Sequence, residues 1–208
     1  MSDGQGPLGP REELKIVLAG IGGQGVVFAT RLLARTGIGL GLPVMASETH
    51  GMSQRGGSVV AHLKLGGTLA PLIRRGTADV LLALDPDEAL RNLTYLRRNG
   101  AVFANSGQGL RPEVEDPLAE HNIQVHVVSA SQIATTLGAA AVANVILIGF
   151  AAAHASFRLP LEAIRSILIE VAPHARDLNL RALEAGYREG LASSALVETV
   201  EDIVKTDV

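Results

Sequence analysis

The chain has 208 residues, of which 47% are hydrophobic and 19% charged. It is too apolar for a disordered chain and long enough to bury a sizeable core as one domain. It contains no cysteine and carries a net charge of −3. That excludes thiolate-held iron–sulfur clusters, Cys-type zinc sites, disulfides and a Cys nucleophile, and it leaves no global attraction to nucleic acid.

Residues 1–11 (MSDGQGPLGPR) lack a basic region followed by an apolar run, so no signal peptide is expected there. Residues 1–13 are expected to be a flexible lead-in. Residues 14–19 (LKIVLA) read as a buried strand, ended by Gly20. The sequence GIGGQG follows. Residues 26–37 then place Val27, Leu32 and Leu33 at helical spacing, with Arg31 and Arg35 outward. Residues 43–47 read as a second strand, 48–58 (ETHGMSQRGGS) as a polar glycine-rich loop, and 58–65 (SVVAHLKL) as a half-buried strand. Residues 78–84 form a buried strand, the Asp85–Pro86 turn opens a helix through Arg98, and residues 100–104 and 124–129 are further strands.

From Ser131 onward the pattern is helical: 131–136, a long apolar helix within 137–156, 161–171 and 177–191, punctuated by Pro160 and Pro173. Residues 137–156 carry no formal charge but contain Gly138, Asn144, Gly149 and His154, and they lack flanking aromatic or basic belts. They read as a buried helix rather than a membrane span. The predicted fold is α/β: a Rossmann-like, mostly parallel sheet flanked by helices, with a helical C-terminal segment. Residues 14–193 form the expected single domain, and 194–208 an acidic C-terminal arm.

GIGGQG matches G-x-G-x-x-G in the right context, after a strand and before a helix. Gly20 permits a tight turn, Gly22 lets the backbone approach a ligand, and Gly25 lets the helix pack closely. Free N–H groups and the helix dipole at that end favour an anion such as phosphate. Glu48 lies where a dinucleotide enzyme carries its ribose-binding acid. Gln24 places a large amide at the helix start, able to bond a backbone group, a ligand or a partner chain. In the second loop, Arg55 beside Gly56 and Gly57 suits an anion. His50 is of the side-chain type suited to proton exchange near neutral pH. Glu48, Ser53 and Gln54 add hydrogen-bonding groups, as do Asn105 and Ser106 after a later strand. His50 and Arg55 are the candidate catalytic side chains. Asn144, a lone amide in an apolar run, requires a hydrogen-bond partner, either within its own helix or on a nearby loop such as the glycine-rich one. Arg91, Arg97 and Arg98 read as a solvated helix face. The histidines show no metal-ligand spacing, so no metal site is expected.

GIGGQG on the first strand–helix turn, HGMSQRGGS in the second loop and NVILIG at 144–149 together resemble the gamma-type domain of the 2-oxoacid:ferredoxin oxidoreductase family. The second loop is most similar to the indolepyruvate ferredoxin oxidoreductase beta (small) subunits. The resemblance covers roughly residues 14–192. It implies a complex that oxidatively decarboxylates a 2-oxoacid, such as an arylpyruvate, on thiamine diphosphate. Electrons then pass through iron–sulfur clusters to ferredoxin, and the acyl group leaves on coenzyme A (CoA). Thiamine diphosphate, Mg²⁺ and the clusters are expected in a large catalytic partner subunit, since this chain has neither cysteines nor the G-D-G and N-N elements of a thiamine site.

The resemblance gives this chain the part of completing the active site or CoA site of that partner, without activity alone. Gly20, Gly22, Gly23, Gln24, Gly25, Glu48, Ser53, Gln54, Arg55, Gly56, Gly57, Asn105 and Ser106 become candidates for contact with CoA or with the partner. A cytoplasmic hetero-oligomer is expected, bound to neither nucleic acid nor membrane, with a homodimer as one state of the isolated chain. Two other readings remain open at this level: a stand-alone NAD(P)- or flavin-dependent oxidoreductase, and a non-catalytic nucleotide- or CoA-binding module.

Overall fold

The computed structural model describes residues 8, 12–50, 56–67 and 70–206. Strands β1 (Leu14–Ile21), β2 (Val44–His50), β3 (Ser58–Leu65), β4 (Ala78–Ala83), β5 (Leu96–Asn105) and β6 (Gln124–Val128) form one sheet in the order β2-β3-β1-β4-β5-β6. Strand β1 is parallel to β4, β4 to β5 and β5 to β6, whereas β3 is antiparallel to both β1 and β2. Five strands therefore share one direction, and β3 alone runs against them. The mostly parallel α/β expectation holds.

Helices α1 (Val26–Gly39), α2 (Pro86–Asn92), α3 (Glu115–Glu120), α4 (Ala130–Thr136), α5 (Ala143–Ala152), α6 (Leu161–Val171) and α7 (Arg176–Thr206) flank the sheet. The crossover β1-α1-β2 moves one way along the sheet, while β4-α2-β5 and β5-α3-β6 move the other way. Right-handed crossovers put α1 and α2 on opposite faces. The strand order thus reverses between β1 and β4, which opens a crevice at their carboxyl ends.

The larger core lies on the α1 face. Ile16, Leu18, Leu63, Val80, Leu82 and Phe103 from the sheet pack there with Leu32, Leu33 and most of α5. The smaller core on the other face joins Val17, Ala19, Leu81, Val102 and Ala104 to Ile73 and Ala89. Burial on both faces explains why the central strands read as continuous apolar runs.

Several elements differ from their sequence reading. Strand β2 continues through Glu48 to His50, because β3 pairs with it along its whole length. The helix after Asp85 ends at Asn92, and one 3₁₀ turn leads into β5 at Leu96. Arg97 is therefore a strand residue, 2.6 Å from Asp79, and not part of a solvated helix face. Arg91 is on α2, paired with Glu88. The long apolar helix is interrupted at Gly138, in the left-handed region at φ 82°, and resumes as α5. Val27 is 45% exposed, unlike Leu32 and Leu33, because it lies in the first turn of α1 beside the glycine loop rather than over the sheet. Helix α7 runs on past Leu191 to Thr206. Among the described residues, no helix is long and apolar enough to cross a membrane.

Helices α5 and α7 meet through glycines. A Cβ on Gly186 would lie 1.9 Å from the Ile146 carbonyl oxygen, and one on Gly149 would lie 2.1 Å from that of Leu183. Backbone atoms cannot yield as a flexible side chain can, so Gly186→Ala is expected to cost roughly 1–3 kcal/mol or more, read as a lower urea midpoint.

Beside this helix pair, His154 and His126 on β6 approach with ring centroids 4.0 Å apart, and Phe103 stacks on His126 at 4.9 Å. Both Nε2 atoms are closed off from solvent, with no hydrogen-bond partner among the described residues. Burial pushes His154 down to about 4, and burial followed by the charge of His154 pushes His126 down to about 4. Both rings are thus neutral in the fold at neutral pH, while the unfolded chain takes up these protons near pH 6.5. Stability should be level above about pH 6.5 and fall as the pH drops from there towards 4. Urea midpoints at pH 7.5 and 5.0 check this, and His126→Phe should flatten the decline.

Candidate functional site

The carboxyl ends of β1 and β4 hold the glycine loop. Gly20 and Ile21 still belong to β1, so the turn proper is Gly22–Gly25. The Gln24 side chain folds back, with its Oε1 accepting the Ile21 N–H at 2.7 Å, while the Gln24 N–H bonds the Ile21 carbonyl at 3.0 Å. Of the options open in the sequence for that amide, a backbone group takes its oxygen. A Cβ on Gly20 would lie 2.9 Å from both Gln24 Oε1 and Val26 Cγ2, so a side chain there would have to displace the Gln24 amide from its bond to Ile21.

Gly25 is the N-cap of α1, at φ 85°. No side chain caps this helix, and its first turn contains no acidic residue. The uncapped N–H groups and the positive end of the dipole are therefore left for an anion. Gly23, at φ 100°, faces open space.

The loop is braced from behind. Asn144, buried at the start of α5, donates from Nδ2 to the Gly25 carbonyl at 3.2 Å and accepts the Val145 N–H on Oδ1 at 2.8 Å. Both sequence alternatives for this amide are therefore realised. A Cβ on Gly25 would lie 2.2 Å from Asn144 Nδ2, so glycine is required there by close approach as well as by φ.

The second loop returns to the first. The Gly22 N–H donates to the Gly57 carbonyl at 2.9 Å. Immediately after, the Ser58 hydroxyl donates to Glu88 Oε2 at 2.6 Å. Glu88 is 1% exposed and also holds the Arg91 guanidinium. Asp85 caps α2 by accepting the N–H groups of Asp87 and Glu88. Glu88 escaped the sequence reading. Its only signal was an acid three residues after a capping aspartate.

Of the other candidates, Asn105 clips strands to helix. Its Nδ2 donates to the Leu84 carbonyl at 3.1 Å and Ser131 Oγ at 2.8 Å, and its Oδ1 accepts the Ser131 N–H. Ser106 Oγ donates to the Gly109 carbonyl at 2.6 Å. Both residues sit at the same sheet end as the glycine loop, but their polar atoms are engaged within the chain. Glu48 is on β2, separated from β1 by β3, hence roughly 10 Å from the strand that carries the glycine loop. Met52, Ser53, Gln54 and Arg55 lie outside the described residues, as does the side chain of His50. Among the described residues, no group of three or more potential ligands could hold a metal ion.

A family model described as pyruvate ferredoxin/flavodoxin oxidoreductase matches residues 15–189. Indolepyruvate oxidoreductase subunit IorB of Archaeoglobus fulgidus is 36% identical over 193 residues, covering 86% of this chain and 96% of that one. The 2-oxoglutarate synthase subunit KorC of Methanothermobacter thermautotrophicus is 28% identical over 181 residues, covering 85% and 93%. The keto/oxoacid ferredoxin oxidoreductase gamma subunit of Geobacter sulfurreducens shares the fold, with a TM-score of 0.68 and 24% identity over 86% of this chain and 99% of that one. So does the 2-oxoglutarate:ferredoxin oxidoreductase of Magnetococcus marinus, solved with 2-oxoglutarate, coenzyme A and succinyl-CoA bound. Its TM-score is 0.73, at 18% identity, over 88% of this chain and 32% of that one.

Removing the Asn144 amide should loosen the glycine loop. Asn144→Ala strands the Val145 N–H and leaves the Gly25 carbonyl with the Ala29 N–H alone, and is expected to cost about 1–3 kcal/mol. Asn144→Asp keeps the acceptor but sets a carboxylate against the Gly25 carbonyl, so it should cost at least as much. Denaturant midpoints and amide exchange at residues 22–26 measure both effects.

Proposed function

Since this chain belongs to the pyruvate ferredoxin/flavodoxin oxidoreductase family, we propose that it is the small subunit of a thiamine-diphosphate-dependent 2-oxoacid:ferredoxin oxidoreductase. The complex oxidatively decarboxylates an arylpyruvate of the indolepyruvate type to an acyl-CoA in the cytoplasm, and its large catalytic subunit passes the electrons to ferredoxin. The relatives named as indolepyruvate oxidoreductase subunits support the substrate class. The absence of cysteine supports a division of labour in which every cluster is held by the partner.

The observation that carries the reading is the hydrogen bond from Gly22 to Gly57, which joins the two glycine-rich loops at the mouth of the β1/β4 crevice. An uncapped helix start, the open position at Gly23 and the adjoining Arg55-Gly56-Gly57 sequence fit the phosphate groups of CoA. CoA supplies the thiol that carries the acyl group away. The part of this chain is to bind and orient it: backbone N–H groups at the start of α1 face the phosphates, and Arg55 adds a charged fork. With no activity of its own, the chain completes a site that the partner supplies. Glu48, set a strand away from β1, disfavours the stand-alone dinucleotide reading.

Co-expression with the large subunit should give arylpyruvate- and CoA-dependent dye reduction that neither chain shows alone. Arg55→Ala should leave co-purification intact and raise KM for CoA at least about tenfold, a loss of roughly 1.4 kcal/mol of binding. Turnover of NAD by the isolated chain would overturn the reading, and loss of assembly in Arg55→Ala would move that residue from the ligand to the interface.

A further inference from the structure

Strand β3 is an interior strand, yet the face opposite α1 carries His62 and Lys64, only 4% and 5% exposed. The Lys64 stem accounts for that cover: its Nζ is not among the unpartnered polar atoms sealed from solvent, so it reaches the surface. A cation so placed ordinarily pairs with a carboxylate. The neighbouring cations follow that rule. Lys15 Nζ lies 2.8 Å from Glu13 Oε2, and Arg97 Nε lies 2.6 Å from Asp79 Oδ1. Lys64 sits directly across from Lys15 in the sheet, but it makes no hydrogen bond or ion pair among the described residues.

His62 is held with equal definition. The Ile73 N–H donates to its Nδ1 at 3.3 Å, and the Tyr95 ring meets it edge-on at 5.1 Å. A ring that accepts at Nδ1 carries its proton on Nε2 when neutral, and burial followed by the charge of Lys64 keeps it neutral by lowering its pKa. Nε2–H is thus a donor, and it too has no partner among the described residues. Ser47 of β2 lies opposite His62 in register and so shares its face. Its hydroxyl is likewise unengaged among the described residues.

One ammonium, one imidazole N–H and one hydroxyl on a single sheet face match an oxyanion. We propose that Lys64, His62 and Ser47 form a binding site for a carboxylate or phosphate group, roughly 20 Å along β1 from the glycine loop. The anion pairs with the Lys64 ammonium at the surface and takes the N–H that Ile73 orients. Two sources share this chemistry: a free small anion, and an acidic side chain of the catalytic partner.

The test uses the full chain with labelled histidine, titrated at pH 7 and constant ionic strength with inorganic phosphate and with acetate while the His62 ring resonances are followed. The expected result is saturable movement of His62. Half-saturation should rise at least tenfold in Lys64→Met, be preserved in Lys64→Arg and be weakened severalfold in Ser47→Ala, a mild change on an edge strand that keeps the test open should Lys64→Met fail to fold. Movement that does not saturate, or that is equal in Lys64→Met and wild type, overturns the site. Amine-reactive labelling of Lys64, read by mass spectrometry, separates the sources. Protection by phosphate alone identifies a free anion, and protection by the co-purified partner in phosphate-free buffer identifies its carboxylate. Equal labelling in every state overturns the proposal.

Discussion

The architecture depends on one reversed strand. Strand β3 lies between β1 and β2 and runs against both, paired with β1 from Leu14↔Leu65 to Ile21↔Ser58. That register returns the chain to the carboxyl end of β1 just where the glycine loop leaves it. The bond from Gly22 to Gly57 follows from the register, and alone would contribute only about 0.5–1.5 kcal/mol. The same strand displaces β2, so an acid placed for a dinucleotide ribose in a simpler alternation lies one strand too far away. It also buries two polar side chains that an edge position would have left in water.

Behind the loop, packing and hydrogen bonding act together. Helix α5 is almost wholly buried, and Asn144 is the polar residue at its start. Its partner, the Gly25 carbonyl, is 119 residues away in the chain. The glycine contacts between α5 and α7 set where that helix can sit, so they also set how closely Asn144 approaches Gly25. A substitution at Gly186 and one at Asn144 therefore act on the same loop through different forces, the first steric and the second a matter of unsatisfied polar groups. On the far side of the crevice, Glu88 ties the outgoing end of the second loop to α2. The two loops are thus held by buried groups from opposite faces of the sheet.

This bracing suits the proposed part of a chain that presents a binding surface to a catalytic partner. Backbone donors at an uncapped helix start cost no reorganisation when an anion arrives. An exposed Val27 beside the loop and a crevice rimmed by glycine form the surface that the proposed ligand and partner would meet.

The strands, the strand–turn–helix setting of GIGGQG, the need of Asn144 for a partner and the exclusion of cluster chemistry were determined by the amino-acid sequence. Each follows from side-chain chemistry or from short-range periodicity, which act within a few residues. Tertiary structure alone decided that β2 reaches His50, that the helix after Asp85 stops at Asn92, that Glu88 meets Ser58 and that Asn105 is spent on Leu84 and Ser131. It also decided the burial of His62 and Lys64, whose alternation with apolar residues had implied a strand with one wet face. Periodicity reports which residues are suited to burial, but not which strand will lie alongside or in what direction. Those depend on register and on contacts between residues far apart in the chain, and they are set only when the sheet closes.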